Sequence, residues 1–209
     1  IVIATGARYR KLAVDGYERF EGQGIHYAAT AMEAQLCGGQ PVVVVGGGNS
    51  AGQAAVFLAR SVAHVHLLVR GPDLPATMSE YLIQRIASSS RITLHGYCEV
   101  CALDGDDYLR KVAWRCSRDG AVTEVAAQNM FVMIGAEPNT AWLDGCVALD
   151  DAGFVVTGLD PASPYSTSLP GVFAVGDVRA GSVKRVASSV GEGSVVVHAI
   201  HRHLAATPG

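Results

Sequence analysis

Short β-branched runs recur along the chain: IVIAT at 1–5, VVVV at 42–45, VHLLV at 65–69, ITL at 92–94, FVMI at 131–134, FVV at 154–156 and GVFAV at 171–175. Stretches with helical spacing lie between several of them, at 49–61, 79–88 and 185–205. In the first, Ala51, Ala54, Ala55 and Leu58 fall on one face at the i, i+3, i+4, i+7 spacing. Strand–helix–strand order of this kind predicts an α/β fold, a parallel sheet with helices on its faces. Residues 97–126 read instead as an antiparallel ribbon, with a turn at LDGDD (103–107). No internal repeat and no disordered linker interrupts the pattern.

Composition narrows the function classes. With 49% apolar and 17% charged residues, the 209-residue chain has material for one large or two modest buried cores. Its 24 glycines fall at the ends of apolar runs, as tight turns require. A net charge of −3 supplies no basic stripe for nucleic acid and no polybasic membrane patch. The apolar runs fall short of a bilayer span and no signal peptide is present, so a soluble cytoplasmic protein is expected. Ile1 falls within the first β-branched run, so an earlier start of the natural protein is expected. Five cysteines (Cys37, Cys98, Cys101, Cys116 and Cys146) without framework spacing predict free thiols in a reducing compartment.

The chemistry-bearing signal is VVVVGGGNSAGQAA at 42–55. Gly46, Gly48 and Ala51 form GxGxxA between an all-valine strand and an amphipathic helix. The first glycine makes the tight turn, the second lets backbone touch a pyrophosphate, and the small third residue lets helix and strand pack closely. Gly47 lies within the same turn, and Asn49 and Ser50 are candidate helix caps at the phosphate-facing positive end. A tight turn without ligand is the competing reading; a complete strand–turn–helix–strand unit argues for the dinucleotide. A site for NAD carries an acid at the end of the second strand, where this chain reads HVHLLVRG. Arg70 there suits a 2′-phosphate, so NADPH is the expected dinucleotide. Taken alone, Arg70 would be a solvated strand-end arginine.

IVIATGA (1–7), GGGNSAGQAA (46–55), FVMIGAEPNT (131–140) and GVFAVGDV (171–178) occur in an order that resembles the thioredoxin reductase-like family of FAD- and NADPH-dependent flavoproteins. The resemblance implies a Rossmann-like, three-layer NADPH domain at 25–134, inserted into an FAD domain made of 1–24 and 135–209. It assigns Ile134 and Gly135 to the NADPH side, and Thr5, Gly6, Gly176 and Asp177 to the flavin side. Asp177 would hydrogen-bond the ribityl chain. Lys184, Arg185 and Val186, at a helix start, would face the isoalloxazine, where positive charge stabilises the reduced flavin. Asp177 as a plain turn or cap residue is the alternative.

Two departures from the family pattern matter. The redox segment matches GIHYAATAME (24–33), where the cysteine positions are Ala28 and Ala31 and the acid position is Met32. Without a thiolate there is no attack on a disulfide, so reduction of thioredoxin by a dithiol is not expected. The pair Cys98 and Cys101 is no substitute: three apart in a strand, their side chains diverge, and small buried structural residues are expected there. Neither His64 and His66 nor His198, His201 and His203 suggest a metal site. The expected activity is hydride transfer from NADPH to FAD, and then to ferredoxin, flavodoxin, a quinone or another acceptor; a homodimer is compatible. A non-catalytic NADPH sensor or interaction module on the same scaffold is the alternative.

The second departure is the missing first FAD element with its own GxGxxG, which leaves the 209-residue chain alone expected to be inactive and to bind FAD weakly or not at all. The visible absorbance of the purified chain checks this: little or no flavin band is expected, and a stoichiometric one is the contrary result.

Overall fold

The computed structural model describes residues 1–74, 78–143, 145–159 and 163–206. The C-terminal stretch HRHLAATPG has no cysteine to stand in for a dithiol, and its end, 207–209, lies outside the described residues. In chain order they form β1 (Val2–Ile3), β2 (Ala7–Tyr9), β3 (Ile25–His26), α1 (Ala31–Leu36), β4 (Val42–Val45), α2 (Asn49–Leu58), β5 (Val65–Leu68), α3 (Glu80–Ala87) and β6 (Ile92–His95). There follow β7 (Cys98–Gly105), β8 (Leu109–Cys116), β9 (Val122–Ala126), β10 (Asn129–Val132), β11 (Ala136–Pro138), β12 (Phe173–Ala174) and α4 (Val186–Ala206).

The chain divides into an inner unit, Arg10–Gly135, and an outer unit of Ile1–Tyr9 with the residues from Ala136 onward. The inner unit starts well before residue 25, because Tyr17 and Phe20 are buried in the same cluster as Ile25, Val43, Leu109 and Trp114. Its five-stranded sheet has the order β3-β10-β4-β5-β6, with every pairing parallel. β4 lies in the middle, and its four valines are buried, as a sheet covered on both faces demands. Val42 and Val44 pack with Ala51, Ala55 and Leu58 of α2 and Leu82 and Ile86 of α3. Val43 and Val45, pointing the other way, join Met130, Val132, Leu109 and Trp114. The antiparallel ribbon β7-β8-β9 closes that second face, so helices, parallel sheet and ribbon make three Rossmann-like layers.

β7 continues to Gly105, so the ribbon turns at 106–108, slightly later than LDGDD suggested. Pairing β7 with β8 sets Cys98 opposite Cys116, Cα–Cα 4.1 Å, and they form a disulfide. This corrects the expectation of five free thiols: cross-strand register, which spacing in sequence does not reveal, made the pair. Cys101 diverges from Cys98 as expected, but it is exposed rather than buried and sits at a β-bulge.

The histidines of β5 and β6 lie beneath the ribbon. His66 Nδ1 is 3.2 Å from His95 Nε2, and His64 Nε2 is 2.8 Å from Thr93 Oγ1. The buried Trp114 ring stands 5.4 Å from His66 and 4.9 Å from His95. Burial, then the adjacent imidazoles, push His66 down to about 4 and lower His95 as well.

In the outer unit β1 pairs parallel with β12, and β2 antiparallel with β11. Val172 and Ala174 pack with Ile3, Val155 and Val178, whereas Phe173 and Val175 pack with Val196 and Ala199 of α4. The expected strand at 154–156 is reduced to bridges from Val155 to Leu149 and Arg179.

The unfolded chain takes up protons on His66 and His95 near the ordinary value of about 6.5, well before the folded chain does. Their contribution to stability is therefore complete above about pH 6.5 and falls as the pH drops towards 4. Urea unfolding at pH 7.5 and pH 5 should show a lower midpoint at pH 5, with the difference reduced in His66→Phe.

Candidate functional site

At the end of β4, Gly46 turns the chain into α2 with φ +137°. A Cβ there would lie 2.4 Å from the carbonyl oxygen of Met133. The neighbouring strands are tied at this point, Gly46 N–H donating to Leu68 O at 3.0 Å and Met133 N–H to Val45 O at 2.8 Å. Ala51 is fully buried against the same turn, as the small third position requires.

Gly48 is a different case. Its φ is −90° and a Cβ would meet nothing within 4 Å, so the fold itself makes no demand for glycine. What the missing side chain provides is access to the first turn of α2. Gly48 is also the N-cap, and no side chain caps this helix. That corrects the capping role expected of Asn49 and Ser50, because the turn is completed one residue sooner. Asn49 Oδ1 instead accepts the Ser79 N–H at 2.8 Å, tethering the residue that precedes α3. Gly47 is half-buried, and Gly48, Asn49 and Ser50 are exposed.

Parallel pairing brings the carboxyl ends of β4, β5 and β10 to one edge of the sheet. Arg70 follows β5 and is exposed there; Ile134 and Gly135 follow β10. Ile134 packs onto the ribbon-side core, and Gly135 has φ +92°. An open helix N-terminus, a Cβ-free cradle and a cation on one sheet edge fit a phosphorylated dinucleotide.

In the outer unit, Gly6 turns the chain after Thr5 with φ +67°. Asn139 clamps the turn: its Nδ2 donates to Thr5 O at 2.8 Å, and its N–H to Gly6 O at 3.0 Å. Thr5 Oγ1 returns a bond to Asn139 O at 3.0 Å. After β12, Gly176 (φ +77°) opens a single 3-10 turn through Val178. Asp177 is half-buried and its Oδ1 accepts from Ser189 Oγ at 3.4 Å. The Glu192 carboxylate accepts the Gly176 N–H at 2.6 Å, and the Arg179 guanidinium holds its pKa below the usual carboxylate range. Arg185 and Val186 are exposed at the start of α4, while the Lys184 ammonium stacks 4.3 Å from the Phe154 ring centroid. A left-handed glycine followed by a half-buried acid at a helix-facing turn suits a flavin's polyol chain. Asn139, Arg179 and Glu192 carried no signal in sequence; only EPNT, as part of a longer motif, touched one of them.

In the 24–33 segment, Thr30 and Glu33 form a capping box that starts α1 at Ala31. Ala28 is half-buried, Ala31 and Met32 exposed. Tyr27 is anchored by donating to the Glu21 carboxylate and by accepting from Tyr17 Oη at 3.0 Å. Cys37, after α1, is buried, and burial pushes its thiol up to about 11, which disfavours the thiolate.

The model of the family described as pyridine nucleotide-disulphide oxidoreductase matches residues 1–193. The chain belongs to that family. Among pyridine nucleotide-disulphide oxidoreductases and their kin it is 34% identical to an NADH dehydrogenase of Ferdinandcohnia aciditolerans, over 93% of this chain and 36% of that protein. It is 33% identical to NADPH-dependent thioredoxin reductase 3 of Arabidopsis thaliana, over 98% of this chain and 38% of that one. The crystal structure of thioredoxin reductase from Streptococcus pyogenes superimposes with a TM-score of 0.82 at 28% identity, covering 99% of this chain and 65% of that chain. The chain thus spans only part of the length of the relatives it matches. Among the described residues, no helix is long and apolar enough to cross a membrane.

Replacing Gly46 with alanine forces a Cβ against the Met133 carbonyl oxygen. A loss of ~1–3 kcal/mol in unfolding free energy is expected. Denaturant unfolding checks it; wild-type stability in Gly46→Ala would contradict the geometry.

Proposed function

We propose that the intact protein is an NADPH-dependent flavin oxidoreductase that passes electrons to an acceptor other than a thioredoxin disulfide. The observation that carries this reading is the uncapped, exposed N-terminus of α2 at Gly48, on the same sheet edge as Arg70. The Gly46–Gly48 turn, with the first-turn backbone of Asn49, Ser50 and Ala51, would hold the pyrophosphate, and Arg70 the 2′-phosphate. Ile134 and Gly135 would border the same nucleotide. Thr5, Gly6, Gly176 and Asp177 would hold FAD, with Lys184, Arg185 and Val186 contributing the positive helix start.

When bound, the flavin supplies the two-electron to one-electron chemistry, and the chain's residues orient and bind. Ala28 and Ala31 remove the sulfur relay that thioredoxin reduction needs, which favours ferredoxin, flavodoxin or a quinone as acceptor. The homodimer, the absence of nucleic-acid and membrane partners, and a cytoplasmic setting belong to the same reading.

The test uses the intact, FAD-loaded protein with an artificial electron acceptor. NADPH-dependent turnover is expected, without turnover of thioredoxin disulfide. Arg70→Ala should raise the KM for NADPH about tenfold, the loss of one charge-assisted bond of ~1.5 kcal/mol, and leave that for NADH unchanged. Equal effects on both nucleotides would remove Arg70 from the site. NADPH binding with no turnover would favour a sensor or interaction module instead.

A further inference from the structure

We infer that Glu192 is the positioning residue of the flavin-side turn, holding Gly176 and Asp177 in place through one carboxylate shared with Arg179. The inference rests on the flavin reading above and adds the group that sets that site's geometry.

The inner face of α4 changes character along its length. Val196 and Ala199 are buried against Phe173 and Val175. One and two turns nearer the start of the helix, on the same face, are Glu192 and Ser189, where the helix meets the 176–178 turn. Glu192 Oε2 accepts from Gly176 N–H at 2.6 Å and from Arg179 Nε at 3.0 Å; Oε1 accepts from Arg179 Nη2 at 2.6 Å. Arg179 Nη1 donates to Thr157 Oγ1 at 2.8 Å, and its guanidinium lies 5.0 Å from the Tyr165 ring centroid. The two side chains are only 16% and 12% exposed.

Desolvation offsets most of the attraction in so enclosed a pair, so net stability is a poor account of its presence. Fixed geometry is a better one. The fork of Arg179 locks both carboxylate oxygens, and one of them is then aimed at the N–H of a residue with φ +77°. Asp177 is the next residue, and its backbone direction is set by that bond. A Cβ at Gly176 would lie 3.3 Å from Ser189 Oγ, so the turn has little room to move towards α4. Both carboxylate oxygens of Glu192 are engaged by Arg179 and the Gly176 N–H. Glu192 acts through the turn.

The experiment uses the intact protein, comparing wild type with Glu192→Gln, Glu192→Ala and the charge swap Arg179→Glu with Glu192→Arg. The FAD dissociation constant, the visible circular dichroism of flavin at saturating FAD, and the thermal midpoint of the apoprotein are read for each. Glu192→Ala should weaken FAD binding about tenfold or more, and Glu192→Gln less. In Glu192→Gln, which keeps an acceptor and its shape, the flavin dichroism should still change. The swap can restore an ion pair but offers Gly176 no acceptor from position 192, so it should recover the thermal midpoint and not the FAD affinity. Wild-type FAD affinity and dichroism in a folded Glu192→Gln would overturn the inference, as would recovery of FAD affinity in the swap. Failure of the wild-type protein to bind FAD would instead defeat the flavin reading, and the inference with it.

Discussion

The constraint on which the carboxyl edge of the parallel sheet depends is the approach of Gly46 to the carbonyl of Met133. Three strand ends meet there, joined by the bonds from Gly46 to Leu68 and from Met133 to Val45. A side chain at 46 would push β4 and β10 apart at the level where the nucleotide is expected. The rest of the unit is arranged around keeping that contact short. Valines fill both faces of β4, alanines line α2, and the ribbon closes the face opposite the helices.

Much of this was legible in the residues. The run VVVV became a strand with its predicted bounds, and Ala51, Ala54, Ala55 and Leu58 are all buried on one helix face. Both rest on local periodicity, which a single sequence displays. What escaped depended on register between distant segments. The disulfide of Cys98 with Cys116 needs the β7–β8 alignment, and the capping of α2 depends on where the turn ends. Residues 10–24 joined the inner unit because Tyr17 and Phe20 find their partners across the sheet, beyond any local pattern.

The turn proposed to hold flavin shows the same division. Gly176 and Asp177 stand out after an apolar strand, but the groups that hold them come from elsewhere in the chain. Arg179 follows the turn, Thr157 and Tyr165 precede it, and Glu192 arrives on α4. None belongs to a spacing that periodicity would flag. Asn139 does the corresponding work for Thr5 and Gly6 from 134 residues away. Motifs mark the glycine turns; the supporting hydrogen bonds become visible only in three dimensions.

The glycine turn divides into positions that can drift and positions that cannot. Gly46 is held by a carbonyl, Ala51 by the core, and Gly52 by Met78, whose sulfur would lie 2.9 Å from a Cβ. Gly48, Asn49, Ser50 and Arg70 are exposed. The inner set is therefore fixed by packing, whereas the outer set is not under that demand and answers only to whatever binds there. The sheet that carries the turn is thus insulated from changes on the surface it presents.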